Sequence, residues 1–234
     1  MLLPEFLEEL FYTSNINLFN TSFKNYLKKV IDYNFLETQK WLKELDINYT
    51  IQRLKNLKRL ELYNNKLTSF PNLNLPNLQR LDLYNNQLTK LPNLTLLPYL
   101  RGLYIFNNRL TSFPDLNLPN LQELHLDNNQ LTSFPTLNLP KLQKLYLSRN
   151  QLTSIPNLNL PNLEHIYIKN NWLKSIPNLN LPKLITLDLE NNQLTEILTL
   201  TFLPDLKILD LWNNQLTEKS KIYLRSLKIK CLFL

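Results

Sequence analysis

The segment Leu57-Lys58-Arg59-Leu60-Glu61-Leu62-Tyr63-Asn64-Asn65-Lys66-Leu67 recurs along the chain, with little change, as far as Leu216. Successive copies begin at Leu57, Leu78, Leu100, Leu121, Leu142, Leu163, Leu184 and Leu206, a spacing of 21 residues that lengthens to 22 in the steps to Leu100 and Leu206. A unit this short cannot bury its own apolar side chains, so the copies must stack and share one core. The composition follows from the repetition. Leucine supplies about a quarter of the 234 residues and Gly occurs once, a skew expected of copies of one unit rather than of a mixed globular core.

Two further columns keep the same spacing. One Asn recurs at Asn65, Asn86, Asn108, Asn129, Asn150, Asn171, Asn192 and Asn214. Prolines recur at Pro71, Pro92, Pro114, Pro135, Pro156 and Pro177, and again at Pro76, Pro98, Pro119, Pro140, Pro161, Pro182 and Pro204. Proline fixes φ and lacks a donor, so two prolines five or six residues apart forbid a regular helix between one copy and the next. That return should be extended or polyproline-like, with a short tight turn. The L-x-L element alternates apolar and variable positions, as a strand with one buried face does.

The pattern L-x-x-L-x-L-x-x-N-x-L resembles the leucine-rich repeat. The resemblance implies an α/β solenoid with a concave parallel β-sheet, and a buried asparagine ladder bonded to backbone at the turn leaving each strand. It divides the chain into residues 1–56, a helical N-terminal cap; residues 57–217, eight repeats; and residues 218–234, a C-terminal cap with a basic tail. In the cap, Phe6, Leu7, Leu10 and Phe11 recur at helical spacing, as do Phe23, Leu27, Val30 and Ile31, and Leu36, Leu42 and Leu45 suggest a third helix. After Leu216, Leu224-Arg225-Ser226-Leu227-Lys228-Ile229 reads as a truncated ninth strand closing the solenoid.

The variable strand positions give two columns on the concave side. The first is Glu61, Asp82, Tyr104, His125, Tyr146, Tyr167, Asp188 and Asp210; the second is Tyr63, Tyr84, Phe106, Asp127, Ser148, Lys169, Glu190 and Trp212. Aromatic side chains are concentrated there, and these are the anchors in which protein interfaces are enriched. The expected protein-binding residues are Tyr63, Tyr84, Tyr104, Phe106, His125, Tyr146, Tyr167, Trp172 and Trp212, along one strip. The function they point to is a non-catalytic scaffold that holds an intracellular protein and is itself a monomer.

Two terminal motifs suggest alternatives. Leu3-Pro4-x-x-Leu7-x-x-Leu10-Phe11 resembles the start of an F-box within residues 1–45, with Tyr26, Val30-Ile31 and Trp41 on its later helices; Thr13-Ser14-Asn15 departs from the pattern. This resemblance implies a Skp1-like partner and the role of substrate adaptor for a cullin ubiquitin ligase. Cys231-Leu232-Phe233-Leu234 has the C-a-a-X arrangement of a prenylation site, preceded by Lys219, Lys221, Arg225, Lys228 and Lys230. A membrane partner is expected only if Cys231 carries that lipid.

Other chemistry is poorly supplied. One cysteine excludes an intrachain disulfide and a thiolate metal set, and His125 and His165 stand two repeats apart in different columns. One glycine, Gly102, cannot build a phosphate loop, so neither cofactor nor catalytic site is expected. The formal charge is +7, counted as 7 − 7 = 0 for residues 1–56, 14 − 11 = +3 for 57–217 and 5 − 1 = +4 for 218–234. The repeat body is thus only weakly basic and no specific nucleic acid is expected. An acidic N-terminus without a long apolar run gives no export signal, so the expected location is the cytoplasm, or a host's cytoplasm for a viral or bacterial source.

Overall fold

The computed structural model describes residues 35–197, 200 and 203–234. The chain divides into two compact units, Met1–Leu54 and Lys55–Leu234. In the first, residues 35–44 form helix α1. It buries Phe35, Thr38 and Leu42, spaced i, i+3, i+7, as the inward stripe. The expected stripe of Leu36, Leu42 and Leu45 is displaced: Leu36 is 38% exposed, because it lies about 100° around the helix from Phe35. A further short helix, α2 (Ile51–Asn56), follows and buries Leu54. The F-box motif at Leu3–Phe11, Tyr26 and Val30-Ile31, and the two helices expected around them, lie outside the described residues.

In the second unit each repeat supplies one three-residue strand: β1 (Arg59–Glu61), β2 (Arg80–Asp82), β3 (Gly102–Tyr104), β4 (Glu123–His125), β5 (Lys144–Tyr146), β6 (His165–Tyr167), β7 (Thr186–Asp188) and β8 (Ile208–Asp210). With β9 (Cys231–Phe233) they form one nine-stranded parallel sheet in chain order. Every pairing keeps the repeat register, from Arg59↔Arg80 to Asp210↔Phe233. This is the expected solenoid. The central strand leucine and the leucine or isoleucine two residues on, such as Leu81 with Leu83 and Leu103 with Ile105, are fully buried. Sequence period 2 therefore becomes one buried and one open sheet face.

The return side has no helix between β1 and β8 among the described residues. It is extended, with a tight turn after the second proline of the repeat in which Leu78 N–H donates to Leu75 O, and equivalently Leu121 to Leu118 and Leu142 to Leu139 (2.9–3.0 Å). The asparagine ladder is also present. Asn86 Nδ2 donates to Leu62 O and Leu83 O, and its Oδ1 accepts from the backbone N–H of Asn65 and Leu67. Asn108, Asn129, Asn150, Asn171 and Asn192 repeat the pattern and are all buried. The preceding residue bends the chain out of the strand at positive φ. It is Asn64, Asn85, Asn107, Asn128, Asn170, Asn191 and Asn213, with Arg149 in the fifth repeat. Asparagine is the side chain that best tolerates that conformation after glycine.

The C-terminal cap corrects the sequence reading. Leu224–Ser226, expected in a strand, belong to helix α3 (Glu218–Ser226), and the ninth strand is Cys231–Phe233. No proline interrupts this last return, so a helix is permitted there. Thr217 caps it, its hydroxyl accepting from Ser220 N–H, with Glu218 in the first turn and Arg225 in the last. Ser220 and Leu224 face inward; Ser220 Oγ accepts from Ile197 N–H and Tyr223 Oη from Leu200 N–H.

Candidate functional site

The open face of the sheet carries the two variable columns in the register read from the sequence: Asp82, Tyr104, His125, Tyr146, Tyr167 and Asp188 are successive partners. In-register parallel strands sit about 4.8 Å apart, close to the stacking distance of aromatic rings. Identical columns therefore stack. Tyr104, His125, Tyr146 and Tyr167 form one run, with centroid separations of 4.5, 4.1 and 4.8 Å. Tyr63, Tyr84 and Phe106 form a second, at 4.7 and 4.6 Å and within 4° of parallel. The Arg80 guanidinium closes the first run, 3.8 Å over the Tyr104 ring.

The expected single strip is thus two stacks, and two of its members stand apart. Trp172 follows the ladder asparagine Asn171, where the chain has left the strand, and is 49% exposed. Trp212 is in the second column but is separated from Phe106 by Asp127, Ser148, Lys169 and Glu190; it is 56% exposed.

A third column, two residues before the first, shares the same face because side chains alternate along a strand. It reads Arg59, Arg80, Gly102, Glu123, Lys144, His165, Thr186, Ile208 and Cys231. The same L-x-x-L-x-L alternation that marked the other columns would have marked it. Glu123 is its centre. Tyr104 Oη donates to Glu123 Oε2 at 2.6 Å, Lys144 Nζ donates to Oε1 at 2.9 Å, and His125 Nε2 lies 3.5 Å from Oε2. Burial works against the Glu123 charge, but the bonds from Tyr104 and Lys144 outweigh it and hold the carboxyl at about 2. Burial and the bond to Glu123 push the Tyr104 phenol up to about 12. Burial lowers the His125 pKa against the pull of Glu123, which keeps a neutral ring between two tyrosines. Gly102 makes room for this arrangement, since a Cβ there would meet Tyr104 Cε2 at 2.7 Å.

Toward each end the aromatic floor gives way to charge. Buried Asp82 is held by Arg59 and Arg80, each at 2.9 Å. At the C-terminal end Asp188, Glu190 and Asp210 converge, and Lys169 Nζ lies 3.5 Å from Glu190 and 3.9 Å from Asp188. Burial, with Asp210 and Glu190 nearby, raises the Asp188 pKa. Cys231 is half-buried in β9, its backbone N–H donating to Lys207 O, so a lipid on it would have to leave from a paired strand.

Sequence comparison agrees with the geometry. The family model for paired leucine-rich repeats matches residues 55–96, 100–139 and 140–181, and that for the single repeat matches 183–203 and 205–227. The chain belongs to the leucine-rich repeat family. Among solved leucine-rich repeat structures it is similar to YopM, a leucine-rich effector protein from Yersinia pestis (30% identity, TM-score 0.63), covering 78% of this chain and 61% of that one. A Shigella effector leucine-rich repeat domain is 26% identical with TM-score 0.61 over 78% of this chain and 85% of the other. TLR13, solved with the RNA ssRNA13, is 29% identical with TM-score 0.64 over 80% of this chain and 30% of that one. The chain thus spans less than two thirds of the YopM chain. A comparison with curated proteins finds no match. As in other leucine-rich repeat proteins, the fold is that of an interaction scaffold, and no described helix is long and apolar enough to cross a membrane.

Proposed function

We propose that this leucine-rich repeat protein is a non-catalytic scaffold that binds a protein partner on the two aromatic stacks of its concave face. The observation that carries this reading is the Tyr104–His125–Tyr146–Tyr167 run. Its ring faces are spent on one another, while the ring edges are only part-buried. Such a floor is rigid and apolar before any partner arrives, so little side-chain entropy remains to be lost on binding. The ionisable groups beside it support a binding role over a catalytic one. Glu123 is engaged by Tyr104 and Lys144, and Asp82 by Arg59 and Arg80.

The test uses a photoreactive phenylalanine analogue at position 106 or 146, and as a control at the exposed return-side Asn93, in cells of the source organism. Crosslinks to one discrete protein from 106 and 146, absent at 93 and lost with Tyr104→Ala/Tyr167→Ala, are expected. Equal adducts from all three positions would move the site off the concave face.

A further inference from the structure

The last seventeen residues carry five basic side chains and one acid, while the whole of 57–217 carries a net +3. The one acid is already used, since Lys221 Nζ bonds Glu218 Oε1 at 2.8 Å. Lys219, Arg225, Lys228 and Lys230 are exposed and make no ion pair among the described residues. Helix α3 turns Ser220 and Leu224 inward, so Lys219, Ile222 and Arg225, at i, i+3 and i+6, form its outer stripe. Ile222 stands 66% exposed between the two cations. An isoleucine held in water on a helix that has a buried face of its own adds nothing to the fold.

We propose that this C-terminal surface docks the protein on an anionic membrane, with the four free cations against acidic lipid headgroups and Ile222 entering the headgroup boundary. Complementary charge selects the occupant, and the protruding aliphatic side chain separates a bilayer from a soluble polyanion, which offers it no apolar phase. Attachment of this kind needs no lipid on Cys231 and leaves the concave face free. Each cation near such a surface is worth roughly fivefold in partitioning.

The test is sedimentation of the full-length chain with vesicles of phosphatidylcholine alone or with phosphatidylserine added, beside retention on heparin. Binding to the serine-containing vesicles only, falling with salt, is expected. Lys219→Glu/Arg225→Glu should weaken it by about tenfold or more, and the equal charge change Lys90→Glu/Lys183→Glu on the repeats should leave it near wild type. Ile222→Asn, which changes no charge, should weaken vesicle binding by about tenfold while changing heparin retention little, and Ile222→Trp should preserve vesicle binding. All substituted side chains are exposed, and unchanged thermal melts check folding. The proposal is overturned by absence of vesicle binding, by equal binding to both vesicle types, by an equal loss in the repeat control, or by Ile222→Asn leaving vesicle binding intact.

Discussion

Two ladders run through the same coils with the same period, and they differ in what they leave unused. The asparagine ladder spends everything inside: Asn129 donates to Ile105 O and Leu126 O and accepts from Leu110 N–H, so each amide ties one repeat to the next. The aromatic ladder on the open face uses its ring faces and, at Tyr104, a hydroxyl bonded to Glu123, and leaves its other rings only part-buried. One strand spacing serves both. A periodic column becomes structural where the period satisfies every group in it, and becomes available for binding where it satisfies only some.

The largest effect should come from breaking the closed ladder. Asn129→Leu removes an amide, strands Leu110 N–H in the core and takes one of two amide donors from Ile105 O and Leu126 O, which keep Asn108 and Asn150, a cost of about 1–3 kcal/mol. Asn65 is exposed at the first coil and its amide, among the described residues, donates to Tyr63 O alone, so Asn65→Leu should cost a few tenths of a kcal/mol by the same reasoning. Urea denaturation of the two variants measures the gap. Equal losses would mean that the ladder contributes through helix-independent chain propensity and not through buried amides.

The open ladder should respond to pH where the closed one cannot. The His125 pKa is lowered by burial, with Glu123 pulling the other way and Arg80 and Lys144 adding to the fall. The folded state then binds fewer protons than the unfolded state, and stability should decline as pH falls below about 6.5. Glu123 titrates in the fold at about 2 instead of 4.5, because the bonds from Tyr104 and Lys144 overcome its desolvation. Its contribution is present above about 4.5 and lost as pH falls toward 2, about 1–2 kcal/mol after allowing for solvent screening. Denaturation midpoints against pH should lose the upper step in His125→Phe and the lower one in Glu123→Gln. An unchanged profile in both would disconnect the network from stability.

Most of the repeat unit was legible because the 21-residue register states which residues are neighbours before any coordinate is known. That register placed the strands, both columns and the extended return, and the resemblance to the leucine-rich repeat supplied the burial of the asparagines. Two kinds of detail were not written in it. The column from Arg59 to Cys231 was as accessible as the others, but its residues are chemically mixed, and only side-chain geometry shows Glu123 gathering Tyr104, Lys144 and His125. Outside the repeat the register no longer applies. Helix α3 falls where a strand was expected, and α1 turns Phe35, Thr38 and Leu42 inward instead of Leu36 and Leu45.

A smaller effect than that of the buried amides concerns the one coil that departs from its neighbours at the turn between the ladders. Arg149 holds φ 55° where seven other repeats place an asparagine. An arginine there keeps a Cβ against its own backbone without the side-chain hydrogen bond to the preceding repeat that asparagine makes elsewhere, as Asn107 donates to Asn85 and Asn191 to Asn170. Arg149→Asn should therefore stabilise the protein by about 0.5–1 kcal/mol, whereas Asn128→Arg in the preceding repeat should cost a similar amount. Both positions flank the same buried step of the asparagine ladder, so opposite shifts in the urea midpoint are expected; Arg149→Gln removes the same charge without asparagine's tolerance of positive φ, and a gain from it equal to that of Arg149→Asn would make charge the cause instead.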